Sequence, residues 1–277
     1  MTTATAVPVT GAGADGRRRS GPPRTGRLGV LGLASLVGLL ELIPRTGLVD
    51  PGFLPPFSAM ALALVDQLGT GEFWDALGAT MLGAALGLAI AMAGGVGLGM
   101  VIGSVPVLRA ATSSTIEFLR PIPSVALIPL AVLIYGAEPR ATLLLVVYAC
   151  FWQVLVQVLY GIQDVDPVAR ETARSYRFST WAQVRTVIWP TALPYVVTGF
   201  RLAAAVALVL EITGELIIGS PGLGQRIAVA QSSGAVAALY ALVIVTGLIG
   251  VAVNLVARTA ERRVLHWHPS IRGELPR

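Results

Sequence analysis

Residues 76–104 read ALGATMLGAALGLAIAMAGGVGLGMVIGS, a stretch without a single charged side chain. A helix of about 20 residues crosses a hydrocarbon core about 30 Å thick, so this stretch is long enough to span a bilayer. In lipid a lone segment satisfies its backbone only as a helix. Its glycines keep a register: Gly83 and Gly87, then Gly95, Gly99 and Gly103, fall four residues apart on one helix face. Small residues at that spacing let two helices approach closely in lipid. The register is read as packing against a helix of the same chain; a seam with a second copy is the alternative.

The surroundings repeat the pattern. Hydrophobic residues make up 55% of the 277-residue chain and charged residues 13%, about half the proportion of charge in ordinary soluble domains, roughly 25%. Six runs qualify as membrane spans: 28–43, 76–104, 116–135, 141–160, 195–218 and 236–257. The first is short, carries Glu41, and is expected to extend at its ends. An Arg pair ahead of it has the look of a secretion signal, but the run ends in Ile43-Pro44-Arg45 without a small-residue cleavage site, so a retained membrane helix is expected. Residues 1–27 are polar, small and basic, with little to bury, and are expected to form a disordered basic tail. The expected organisation is this tail, a transmembrane domain over 28–265 and a short tail over 266–277.

Every one of the twenty basic residues is Arg. Orientation follows from their distribution. One side of the membrane would hold Arg17, Arg18, Arg19, Arg24, Arg27, Arg109, Arg170, Arg174, Arg177, Arg185, Arg258, Arg262, Arg263, Arg272 and Arg277, the other only Arg45, Arg140 and Arg226. Both termini are therefore expected in the cytoplasm. The absence of Lys also excludes a phosphate-cradling P-loop, whose lysine reaches the phosphates. Work driven by ATP would need a partner chain. Cys150, the only cysteine, can form no internal disulfide or thiolate cluster.

Segment 161–190 is the longest polar stretch between spans. Asp166-Pro167 has the form of a helix start, with an acidic cap and proline at the first helical position. Ser179-Thr180 opens a second short helix, Thr180 and Gln183 having capping-box spacing, and Pro190 ends or kinks it. In the first helix Arg170, Arg174 and Arg177 form a basic stripe. It suits anionic lipid headgroups and equally a docking surface for a protein. In the third span Arg120-Pro121-Ile122-Pro123 and Pro129 interrupt the helical ladder, and Glu117 lies one turn from Arg120, within pairing reach.

Several motifs resemble those of binding-protein-dependent ABC importer permeases. The run Glu171-Thr172-Ala173-Arg174-Ser175, followed by Val187-Ile188-Trp189-Pro190, is similar to the family's Glu-Ala-Ala loop. Phe53-Leu54-Pro55-Pro56, Glu117 to Pro123, Thr198-Gly199-Phe200-Arg201-Leu202, Gly214-Glu215-Leu216-Ile217, Gly222-Leu223-Gly224 and Glu261 to Trp267 resemble its nitrate, sulfonate and taurine branch. The resemblance implies an all-α polytopic type I ABC importer permease fold with six transmembrane helices and a cytoplasmic coupling-helix loop. It implies a transport subunit without an ATPase site or cofactor, in the bacterial inner membrane. Its implied partners are cytoplasmic ABC ATPase subunits, an extracytoplasmic solute-binding protein, a second permease copy and membrane lipid, with no nucleic acid. It assigns ATPase coupling to Arg170, Glu171, Thr172, Ala173, Arg174, Arg177 and Pro190. Two departures stand out: Thr172 replaces the family's first Ala, and Arg177 falls where the family has a turn glycine. Arg forced into the same left-handed conformation would cost about 1 kcal/mol or more, so either the turn has changed shape or the partner ATPase is co-adapted to it.

Charged and helix-breaking residues inside spans mark pathway or gate candidates: Glu117, Arg120, Pro121, Pro123, Arg201, Glu211 and Glu215. Glu211 and Glu215, one turn apart, also support the alternative of an ion-coupled secondary transporter. His266 and His268 around Trp267 have no further ligands near them in sequence and read as an interfacial anchor rather than a metal site.

Overall fold

The computed structural model describes residues 25–267. Helix α1 (Thr25–Arg45) leads to a short α2 (Phe57–Leu68) and the long α3 (Gly71–Ser104). Then come α4 (Pro106–Leu119), α5 (Ile128–Tyr135) and α6 (Pro139–Gln163). The polar segment holds α7 (Pro167–Ser175) and α8 (Thr180–Gln183), and α9 (Trp189–Ile218), α10 (Leu223–Ser232) and α11 (Val236–Val264) complete the chain. Among the described residues, five helices are long and apolar enough to cross a membrane, six if the bent α4–α5 pair is one span. Helix α1 starts ahead of the expected tail boundary; the rest of that tail with its arginines, and His268 with the residues after it, lie outside the described residues.

The core is a sandwich of α3, α6 and α9. Lipid supplies little hydrophobic drive for helix association, so close van der Waals contact must hold the seam. The glycine register provides it. A Cβ at Gly95 would come within 2.8 Å of Val154, at Gly99 within 2.7 Å of Val158, and at Gly87 and Gly103 within 2.5 Å of Val146 and Ile162. The partners also recur every four residues, and both series rise together, so α3 and α6 run parallel in constant register. All four glycines are buried within the chain, which settles their packing as intramolecular. Helix α9 runs antiparallel to α6 and also packs on α3: Gly161 meets Ala192 and Tyr195, Gly199 meets Gln157, and Gly214 meets Thr142. Cys150 is buried there, its thiol donating to the Ala203 carbonyl at 3.3 Å.

Three expectations about local structure are corrected. The third span is not one helix over 116–135. It starts at Pro106 and bends by 82° between Leu119 and Ser124. Pro123 lacks an N–H, leaving the Leu119 carbonyl without its usual partner; Ile122 N (3.2 Å) and the Tyr148 hydroxyl (2.8 Å) donate to it instead. The second loop helix does not end at Pro190. A π-helical turn over Val184–Ile188 joins α8 to α9, with Trp189 N bonded to the Val184 carbonyl. That wider turn absorbs the missing proline donor and keeps the chain helical. Finally, the cap of α8 is Ser179 rather than Thr180, its hydroxyl accepting from Ala182 N at 3.2 Å.

Sequence reading passed over α2 and α10. Pro56 precedes α2, and the Glu41 carboxylate of α1 accepts from Ser58 N (2.9 Å) and Ser58 Oγ (3.0 Å) while pairing with Arg45. An intramembrane acid thus satisfies the start of the next helix, where negative charge is favoured. Helix α10 folds back beside α9, burying Leu223 and Ile227 against Phe73 and Leu242.

Candidate coupling loop and pathway residues

Helix α7 begins as expected: Asp166 Oδ1 accepts from Val168 N at 2.8 Å, with Pro167 in the first turn. Its end is informative. Phe178 N bonds to the Ala173 carbonyl (3.0 Å) and Arg177 N to the Arg174 carbonyl (2.8 Å), the paired bonds of a Schellman cap. That cap needs a left-handed residue after the helix, and Arg177 has φ +56°. The turn has therefore kept its shape although the residue is not glycine. Ala173 is buried (5% exposed) beneath it. The basic stripe is shorter than expected, because Arg177 lies past the helix end and only Arg170 and Arg174 share the helical face. Arg109 from α4 joins them instead, and with Gln163 and Glu171 they line a groove of about 500 Å³. Thr172 turns its hydroxyl onto the Val168 carbonyl at 2.8 Å, and Pro190 sits in the first turn of α9.

At the opposite end of the bundle, Glu215 is fully buried and both of its carboxylate oxygens are hydrogen-bonded. Its carboxylate accepts from Thr80 Oγ1 (2.7 Å) on α3 and from Gly224 N (2.8 Å) at the start of α10. Leu223 N donates to the same Thr80 hydroxyl at 2.9 Å. The three groups form a latch holding α10 against α3 and α9. Gly222, whose φ is +159°, lies against this carboxylate with no room for a Cβ. Glu211 differs. Its Oε2 is shielded and has no hydrogen-bond partner among the described residues, and its carboxyl fills the space beside Gly83. The structure thus separates the two acids: one is a structural clasp, the other an unpartnered buried group.

Arg201 pairs with Glu261 at 3.2 Å, tying α9 to α11. This joins two of the motifs quoted above, which are far apart in sequence. Glu117 and Arg120 form no ion pair with each other among the described residues; both are exposed at the α4–α5 bend, where Arg120 leaves the helix. Pro121 and Pro123 make the bend itself. Arg120 and Pro123 line a cavity of about 450 Å³ with residues of α6 and α9. No cluster of three or more His, Cys, Asp or Glu suited to a metal occurs among the described residues, and His266 Nδ1 lies 3.0 Å from the Arg263 carbonyl. No spacing or motif pointed to Thr80 as the partner of Glu215, 135 residues away.

A multi-pass bundle with a capped, basic loop helix at one end and a buried acid latch at the other defines a membrane transport component. Residues 95–266 match the model of the family described as binding-protein-dependent transport system inner membrane component. The chain belongs to that family, as a permease subunit. It is 30% identical to the taurine transport system permease protein TauC of Escherichia coli (strain K12), over 86% of this chain and 89% of that one. It is 29% identical to the aliphatic sulfonates transport permease protein SsuC of Bacillus subtilis (strain 168), over 93% and 94% of the two chains. Among solved structures, a bacterial ABC transporter involved in alginate import superposes with a TM-score of 0.61 at 16% identity, covering 87% of this chain and 96% of that one. This likeness establishes the shared type I importer permease fold.

Proposed function

We propose that this permease imports a small organic anion, with an alkanesulfonate such as taurine as the leading class, in an assembly driven by partner ATPases. Two permease copies enclose the pathway, an extracytoplasmic binding protein delivers the solute, and an ATPase docks on each α7. Both termini and the α7 end face the cytoplasm; the α10 end faces outward. The observation that carries the reading is α7 itself. A short helix closed at both ends by satisfied caps is rigid enough to pass a push into the bundle, and it reaches α9 through the continuous α8–π–α9 rod. The groove beside it, with three arginines and one glutamate, suits a partner surface bearing carboxylates. The names of the relatives support the substrate class, and the engagement of Glu215 with Thr80 and Gly224 N favours a structural role for it over that of a coupling-ion site.

The test is uptake into liposomes holding the permease with its ATPase and binding protein. Import of radiolabelled taurine or ethanesulfonate that requires ATP inside and binding protein outside supports the proposal. Transport by the permease alone, driven by an ion gradient without ATP, would overturn it in favour of an ion-coupled carrier.

A further inference from the structure

A pocket of about 450 Å³ opens at the α7 end of the bundle, between the two roots of the polar loop. Asp164, which caps the end of α6, lines it from the root that enters the loop. Pro190 and Thr191, at the start of α9, line it from the root that leaves. Pro194, Tyr195 and Thr198 continue the same face of α9, and Trp267, just past α11, forms another wall. The end of α6 divides this pocket from the arginine groove: Gln163 and Val165 line the groove, and Asp164 between them lines the pocket.

The polar groups of the lining are turned into acceptors by the fold itself. Tyr195 donates its hydroxyl proton to Asp164 Oδ2 at 2.9 Å. Thr191 donates to the Val187 carbonyl and Thr198 to the Pro194 carbonyl, each at 2.9 Å. With those protons committed, the three hydroxyls offer lone pairs to an incoming group, and Pro190 and Pro194 have no N–H to offer. Asp164 adds its carboxylate charge. It makes no ion pair with a described residue, and its Oδ1 accepts no hydrogen bond among them. All of these groups are within reach, Asp164 and Thr198 being exposed and Thr191 and Tyr195 half-buried. An exposed aspartate is ordinary by itself; here it stands in a concave site whose hydroxyls are acceptors as well. Such a lining suits a cation that carries several donors. The rings of Tyr195 and Trp267 favour a flat guanidinium over a compact ammonium.

We infer that this pocket receives an arginine side chain of the partner ATPase, its guanidinium on the Asp164 carboxylate and the neighbouring hydroxyl oxygens. This rests on the docking of an ATPase at α7 and adds a second contact of opposite sign. The pocket lies between the two ends of the loop that the ATPase covers, so it is continuous with that interface. Carboxylates of the ATPase in the arginine groove and a guanidinium in the pocket, on either side of the α6 end, fix its orientation, because complementary charge sets register.

The test is the affinity of the ATPase recovered with the wild-type chain for the full-length permease in nanodiscs of phosphatidylglycerol, a lipid without an amine. Asp164→Asn keeps an acceptor for Tyr195 and removes the charge. Thr198→Trp fills the pocket from an exposed position and leaves Asp164 in place, and it carries the test alone should Asp164→Asn fail to fold. Each is expected to raise the dissociation constant about tenfold or more, chiefly through faster dissociation. The double variant Arg272→Gln, Arg277→Gln should stay within about twofold of wild type, as surface charges away from a contact do. A photo-cross-linker at position 198 should capture an ATPase segment containing an arginine, and changing that arginine to glutamate should restore binding to Asp164→Arg. Wild-type affinity in both Asp164→Asn and Thr198→Trp would overturn the pocket and leave docking at α7 standing. So would a loss in the double variant equal to that of Asp164→Asn, which assigns the pocket to the chain's own C-terminal arginines, or a loss confined to discs containing phosphatidylethanolamine, which assigns it to a lipid amine. A wild-type chain that transports actively yet binds no ATPase would overturn the docking reading and the pocket together.

Discussion

Replacing Thr80 with Val keeps the shape of the side chain and removes one hydroxyl. In the structure that hydroxyl does two things: it donates to Glu215 and accepts from Leu223 N. It has one hydrogen, and the Glu215 oxygen at 2.7 Å is closer than the Ala76 carbonyl at 3.1 Å. The substitution therefore leaves a buried amide without an acceptor and a buried carboxylate with one donor fewer. Each unsatisfied group costs about 1–3 kcal/mol, so a loss of roughly 2–4 kcal/mol is expected once some relaxation is allowed. With about 2–4 °C per kcal/mol for chains of about 150–250 residues, Thr80→Val should melt roughly 5–15 °C below wild type in detergent. Thr80→Ser keeps the hydroxyl and should recover most of the difference. Hydrogen exchange should localise the effect, with the Leu223 and Gly224 amides losing protection while the α3–α6 seam keeps it. A Thr80→Val protein that melts with wild type and protects both amides would refute the latch.

Arg177→Gly relieves a left-handed arginine and should stabilise the loop by about 1 kcal/mol, seen as stronger exchange protection of the Phe178 amide; a loss of protection would contradict the Schellman geometry. Gly95→Leu drives a side chain into Val154 and the Leu155 amide, beyond what core repacking absorbs at about 1–3 kcal/mol, and should abolish recovery of folded protein, whereas Gly97→Leu, with nothing near its Cβ direction, should be tolerated. Glu211→Gln removes an unpartnered buried acid, whose charge is costly to bury; uptake should stay within about twofold of wild type and the melting temperature should rise, and loss of uptake would assign that carboxyl a role in transport. A double-mutant cycle on Arg201 and Glu261, both partly exposed, should give a coupling below about 1 kcal/mol.

The long apolar runs and the glycine register of α3 were legible because both are periodic, and in lipid they must be satisfied by helices packed tightly on one another. The start of α7 was legible from two adjacent residues, Asp166 and Pro167. What escaped has physical causes. Helices α2 and α10 are too short to span and depend on groups from elsewhere, Glu41 for one and the Thr80–Glu215 pair for the other. The continuation through Pro190 escaped because a widened turn can absorb a proline, and no residue type announces a widened turn. Arg177 holds a conformation that its type disfavours, since the two Schellman bonds and buried Ala173 determine the turn more strongly than the local preference does. Arg120 of the third span and residues of α6 and α9 line one cavity at the bend that the prolines make, a grouping that no sequence spacing announces.

The central claim is that α7 carries the contact through which an ATPase drives this bundle. It is tested most directly by copurification from bacterial membranes, using the tagged wild-type chain, Ala173→Asp, which disrupts the buried face of α7, and Glu171→Arg, which alters its groove without touching the core. The account predicts an ABC ATPase recovered with wild type and lost with both variants, while the variant permeases remain folded in detergent. An ATPase retained at wild-type level by both variants, or never recovered with an actively transporting wild-type chain, would contradict it.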